Sequence, residues 1–160
     1  MFDAFSDNAR MWAYGFDVRL NPNQFQIVKE HLDAFCQNWQ VHGKPVRGAW
    51  EMIENQIVML VTDDDVSGCS IDSSVAVFKE LKMTYGLNAL DPNLVFFRSK
   101  RGIEAVSRPE FQVLVAAGEI DDDTIVFDMT CIRLGDARQG KFERPFKESW
   151  HANAFSMKTV

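Results

Sequence analysis

An α+β fold is what this sequence predicts, and three observations predict it. Apolar periodicity switches along the chain between two residues and three to four, the marks of strands and of amphipathic helices. Helix boundaries are written in residue types, with Asn21-Pro22 as a start and Gly43 and Gly86 as stops. The 160 residues are 46% hydrophobic and 25% charged, the profile of an ordinary globular chain of one domain or two small fused ones.

Trp12 to Leu20 alternates apolar with small or polar residues and reads as a strand. Asn21 is placed to cap a helix whose first position is Pro22, where a missing N–H costs nothing. Phe25, Val28, Leu32, Phe35 and Trp39 form one apolar stripe, and Gly43 is expected to close the helix in the left-handed conformation. The apolar runs Val46–Ile53 and Gln56–Val61 flank Glu54-Asn55 and read as a hairpin. A second helix is expected from about Ser70 to Tyr85 on the stripe Ile71, Val75, Phe78, Leu81 or Lys82, and Tyr85. Leu94–Phe97 is a short strand. The order β-α-β-β-α-β is that of a ferredoxin-like sandwich, two helices on one face of an antiparallel sheet, expected over residues 1–98. Residues 99–160 read as a small, β-rich C-terminal module packed against it. It comprises a turn and strand over Arg98–Val106, a helix from Arg108 ended by Gly118, a strand at Thr124–Phe127 and an aromatic tail from Phe142 to Phe155.

Charge and cysteine content narrow the partners. With 17 Lys and Arg against 23 Asp and Glu, the formal charge of −6 repels phosphate backbones and anionic lipid, so neither nucleic acid nor membrane is expected as a partner. Arg98-Ser99-Lys100-Arg101 is the best local basic patch and reads as a solvated hairpin turn. The apolar run Ile57–Val61 is far short of the ~20 residues that cross a bilayer, and the first residues lack the basic and apolar regions of a signal peptide. A cytoplasmic location is the expectation. Cys36, Cys69 and Cys131 show neither CxxC nor Cys–His spacing, so no disulfide framework, zinc site or other cofactor is expected.

The most unusual stretch is Asp63 to Val75, which passes from a strand through an acidic, glycine-containing turn into a helix. Unpaired backbone N–H groups and the positive end of the helix dipole meet there. Cys69 at such a position would have a lowered thiol pKa, with His42 or His151 as base, although Asp63, Asp64 and Asp65 oppose it. Gly68, Ser70, Asp72, Ser73 and Ser74 form a candidate ligand-binding loop, the serines and backbone amides suiting a small anion. Asp63, Asp65, Ser67 and Gly68 fit the first half of a calcium-loop template, whose closing Glu is replaced by Ser74. The structural alternative makes Ser70 or Asp72 the cap, Gly68 the turn and Cys69 a small buried side chain. His42 then sits in a helix's last turn for dipole reasons, and Trp150-His151 plugs the tail to the core.

Two resemblances add to this. Val95-Phe96-Phe97 and the run Glu110-Phe111, Leu114, Gly118-Glu119-Ile120, Asp123-Thr124, Val126-Phe127 resemble small GYF-like domains, whose members with known ligands bind proline-rich peptides on an aromatic surface; the Gly-Tyr-Phe triplet itself is absent. Trp39-Gln40, His42-Gly43-Lys44-Pro45, Ser67 to Val75 and Lys147-Glu148-Ser149-Trp150 are similar to a group of small bacterial proteins sometimes labelled "ABC transporter ATPase". That label fails on physical grounds, because the Walker A loop GxxxxGK[ST] is missing. The resemblance implies a cytosolic location and a candidate loop.

The functional expectation is a non-enzymatic binding or adaptor protein that holds a protein or small ligand with the Gly68–Ser74 loop and nearby aromatic surface. The alternative is a thiol-dependent hydrolase or transferase with Cys69 as nucleophile and His42 or His151 as base. A homodimer through sheet edges is the oligomeric state that fold analogy suggests.

Overall fold

The computed structural model describes residues 2–63 and 68–155, residues 68–72 by their backbone alone. Strand β1 (Arg10–Gly15) leads to helix α1 (Pro22–Asn38) and a minimal hairpin of β2 (Gln40–Val41) and β3 (Lys44–Pro45). Then come β4 (Gly48–Ile53), β5 (Ile57–Thr62), α2 (Gly68–Tyr85), β6 (Leu94–Ser99), β7 (Gly102–Ser107) and α3 (Arg108–Ala116). The chain finishes with β8 (Ile125–Phe127), α4 (Leu134–Arg138), β9 (Glu143–Pro145), a 3-10 turn over Phe146–Glu148 and α5 (His151–Ala154). Helices and antiparallel sheets make the class α+β.

Local chemistry accounts for most boundaries. Asn21 and Gln24 cap α1 reciprocally, each side chain accepting the other's backbone N–H at 2.9 Å. The helix stops at Asn38 because Trp39 turns extended, so the expected run to Gly43 is corrected. His42 (φ 51°) and Gly43 (φ 77°) instead form a two-residue hairpin loop joining β2 to β3. The Glu54-Asn55 turn is present, with both residues at positive φ. Gly86 ends α2 in the left-handed conformation, its N–H donating to the Lys82 carbonyl. The first strand stops at Gly15 rather than Leu20, because its partner β5 begins at Ile57 and offers no ladder beyond that point.

Besides the two-stranded β2–β3 hairpin, the described residues form two larger antiparallel sheets, in the orders β1-β5-β4 and β7-β6-β8-β9. The second order corrects the expected sandwich. The last strand of the βαββαβ series, β6, pairs with β7 and β8 and not with β1. The outer edge of β1 is met instead by loops: the Met11 N–H donates to the Ile132 carbonyl, and just past the strand the Asp17 N–H donates to the Asn88 carbonyl. Residue 98 falls inside β6, so the sheet it belongs to includes residues on both sides of the expected boundary.

The sheets stack face to face, giving four layers. Helices α1 and α2 cover one face of the first sheet through Val28, Leu32, Phe78 and Leu81. Its other face, with Met11, Ile57, Met59 and Val61, meets Phe96, Ile103 and Phe127 of the second sheet. Helix α3 and the C-terminal aromatics cover the far side with Phe111, Val115, Phe146 and Phe155. Strand β5 is thereby enclosed on both faces, and every side chain from Ile57 to Val61 is fully buried. That explains its unbroken apolar run, since a strand covered on two sides loses the alternation of a half-exposed one. Arg98 ties the layers together at one end, bridging Glu54 in the β4–β5 turn and both carboxylate oxygens of Glu143 at β9.

Candidate functional site

The residues singled out in the sequence are scattered by this fold. His42 is exposed at the tip of the β2–β3 hairpin, not in a helix's last turn. Residues 64–67, and the side chains of Gly68, Cys69, Ser70, Ile71 and Asp72, lie outside the described residues. Ser73 is exposed, whereas Ser74 is buried and shares a 2.8 Å hydrogen bond with the Tyr14 hydroxyl, so this ligand-loop serine is a core contact. Asp63, the first position of the calcium-type pattern, accepts hydrogen bonds from Arg47 at 2.8 Å and from Ser6. His151 is buried, bonded through Nδ1 to the Ser149 hydroxyl at 2.6 Å and stacked on Trp150, so the aromatic tail is a plug as expected. Burial pushes the His151 imidazole down to about 4, which leaves it neutral near pH 7. The described thiols are not poised as nucleophiles: burial, with Asp33 nearby, pushes Cys36 up to about 11, and burial raises Cys131.

A sizeable concavity lies elsewhere among the described residues, and it is built from two periodicities meeting. In β6 and β7, Phe97 and Ser99, then Glu104 and Val106, lie on one face at alternate positions. In α3 the core stripe is Phe111 and Val115, four residues apart and fully or almost fully buried. That leaves Glu110, Val113 and Leu114 on the flank, at three- and four-residue steps. Between strand face and helix flank opens a groove of about 880 Å³, lined also by the buried Ile120. Ser107 caps α3 by accepting the Glu110 N–H, which fixes the helix angle over the sheet.

The groove is apolar inside and charged of both signs at its rim. Val113 is 66% exposed, an uncompensated apolar surface beside Phe97, Val106 and Leu114. Lys100 and Arg101 flank one part of the rim, with Arg101 paired to Glu104 at 2.9 Å, and Glu110 and Glu119 flank the rest. Strand β7 is the outer strand of its sheet, so the groove lies beside a sheet edge. Sequence reasoning placed the helix and strands here but missed the groove. The available signal was the excess of apolar residues in Phe111-Gln112-Val113-Leu114-Val115, more than one stripe can bury.

No protein-family model, no curated protein and no solved structure matches this chain.

Proposed function

We propose that this is a non-enzymatic binding or adaptor protein of the cytoplasm, and that its recognition surface is the groove between β6–β7 and α3. The observation that carries the reading is Val113, an exposed aliphatic side chain above an apolar-floored groove of about 880 Å³ next to an edge strand. A polypeptide segment suits such a place. Its backbone can run along the β7 edge while alternate apolar side chains enter between Phe97, Val106 and Leu114. The mixed rim favours a partner carrying both charge signs rather than a polyanion, in keeping with the net charge of −6. The first sheet with α1 and α2 is read as a ferredoxin-like layer whose last strand has been recruited into the second sheet.

The test is selection of ~12-residue displayed peptides on the full chain, with binding of the winners compared between wild type and Val113→Glu. Because residue 113 is mostly exposed, the substitution should spare the fold. Winners should bind wild type and lose roughly tenfold or more on the variant, the ~1.4 kcal/mol or more expected for burying a charge against apolar walls. Equal binding to both proteins would remove the groove from the account.

A further inference from the structure

A second concavity lies at the seam between the two sheets and is independent of the groove above. A cavity of about 340 Å³ is walled by Leu94, Phe96, Phe127 and Met129, with Arg108, Thr130, Trp150 and His151 around it. A smaller cavity of about 220 Å³ shares Pro92, Leu94, Phe96 and Met129 with it and runs on to Gly15 of β1. The two adjoin across those four side chains, and the larger, a cleft with mostly apolar walls, by itself lies in the ~300–1,000 Å³ range of small-molecule sites.

Its polar groups gather at one end. The Arg108 guanidinium lies 5.6 Å from the ring centroids of both Trp150 and Phe155, and forms no ion pair with a carboxylate among the described residues. A guanidinium held against aromatic rings and not ion-paired keeps N–H donors available to an acid. Asp128, whose charge acts on His151 as that of Arg108 does, is already engaged through Oδ1, which accepts the Trp150 indole N–H at 3.2 Å and the Thr130 amide at 3.0 Å. His151 has Nδ1 committed to Ser149, so the ring nitrogen left for a ligand is Nε2. When Ser149 donates to Nδ1, Nε2 carries the proton and donates.

We propose that this cleft binds a small monocarboxylic acid with an elongated apolar body, the carboxylate held by Arg108 and His151 Nε2 and the body lying over Phe96 and Met129. One neutral donor and one guanidinium suit a single carboxylate better than a phosphate dianion, which would meet the Asp128 charge with less compensation.

The test is titration of the ¹⁵N-labelled full chain with butanoate, hexanoate and octanoate, and with octanol, following the Trp150 indole resonance. Affinity should rise roughly fourfold per added methylene while the cleft still has room, as transfer of CH₂ from water requires. Octanol should bind about tenfold or more weakly than octanoate, and Arg108→Gln should weaken octanoate by about the same factor while leaving octanol unchanged, the size expected for a charge-assisted hydrogen bond. Met129→Trp, which fills the cleft where the apolar body would lie, should weaken every chain length. No saturable shift with octanoate, equal binding of octanol, or an Arg108→Gln variant that binds octanoate as wild type does would each overturn the proposal.

Discussion

The tip of the Phe96 ring points at Gly15, so close that a Cβ at residue 15 would overlap its Cζ. Gly15 is at the end of β1 and Phe96 in the middle of β6, so this one contact brings the two sheets together at the place where the two strands do not pair. A methyl group there has to push the ring aside or part the layers. Gly15→Ala should therefore lower stability by about 1–3 kcal/mol, the usual cost of overpacking. Phe96→Leu should recover part of that loss in the double variant, giving a coupling measurable by urea denaturation. Strict additivity would mean that the sheets do not meet at this pair.

Acid should weaken the protein through His151. Its folded-state pKa, pushed down to about 4 by burial, is below the ordinary value of 6.5. Between those values the unfolded chain binds a proton that the folded chain does not, so stability is fully present above pH ~6.5 and falls as the pH drops towards 4. The loss should total on the order of 3 kcal/mol. His151→Phe keeps a ring between Trp150 and Phe155 and should be less stable at pH 7, yet show a smaller decline between pH 6.5 and 5. Denaturation midpoints for the two proteins check this; the same decline in both would assign it to other groups.

Alkylation separates binding protein from thiol enzyme. Cys36, with its thiol up at about 11, should react slowly with iodoacetamide at pH 7 and speed up roughly tenfold per pH unit as the thiolate appears. Cys131 should also be slow, its thiol raised by burial. Peptide mapping of the labelled chain gives each rate. A rate at Cys69 matching these two removes the nucleophile proposed for the alternative activity, and a much faster one supports it.

The β2–β3 turn provides a conformational test. Gly43 has φ 77° and open space around its would-be Cβ, so Gly43→Ala carries a backbone penalty and no clash. The expected loss is about 1 kcal/mol by thermal or urea denaturation. His42→Asn, a substitution better suited to the left-handed conformation of residue 42, should be neutral or slightly stabilising.

Local signals in the sequence carried most of the elements. Asn21, Pro22, Gly86 and Gly118 mark helix ends where their side chains or conformations act on the nearest few residues, and such signals need no tertiary partner. The pairing of β6 was beyond them, because Leu94–Phe97 reads the same whichever sheet it joins. The run from Ile57 to Val61 did hold the clue, since a strand with no polar side must be covered twice. His42 was misplaced for a different reason: Gly43 serves equally as a helix stop and as the second residue of a hairpin loop. The groove was only half legible: residues 111–115 hold more apolar side chains than one stripe can bury, but Val113 looks like a core residue until Phe111 and Val115 are seen to take the core positions of α3.

Recognition between β7 and α3 can be mapped residue by residue. The most direct measurement is amide chemical-shift mapping of the full chain on addition of a peptide selected against it. Perturbations should concentrate at Phe97, Val106, Val113, Leu114 and Ile120 and disappear in Val113→Glu. Perturbations centred instead on the Ser73–Ser74 end of α2 and the His42–Gly43 turn would contradict it and return the site to the aspartate-rich loop.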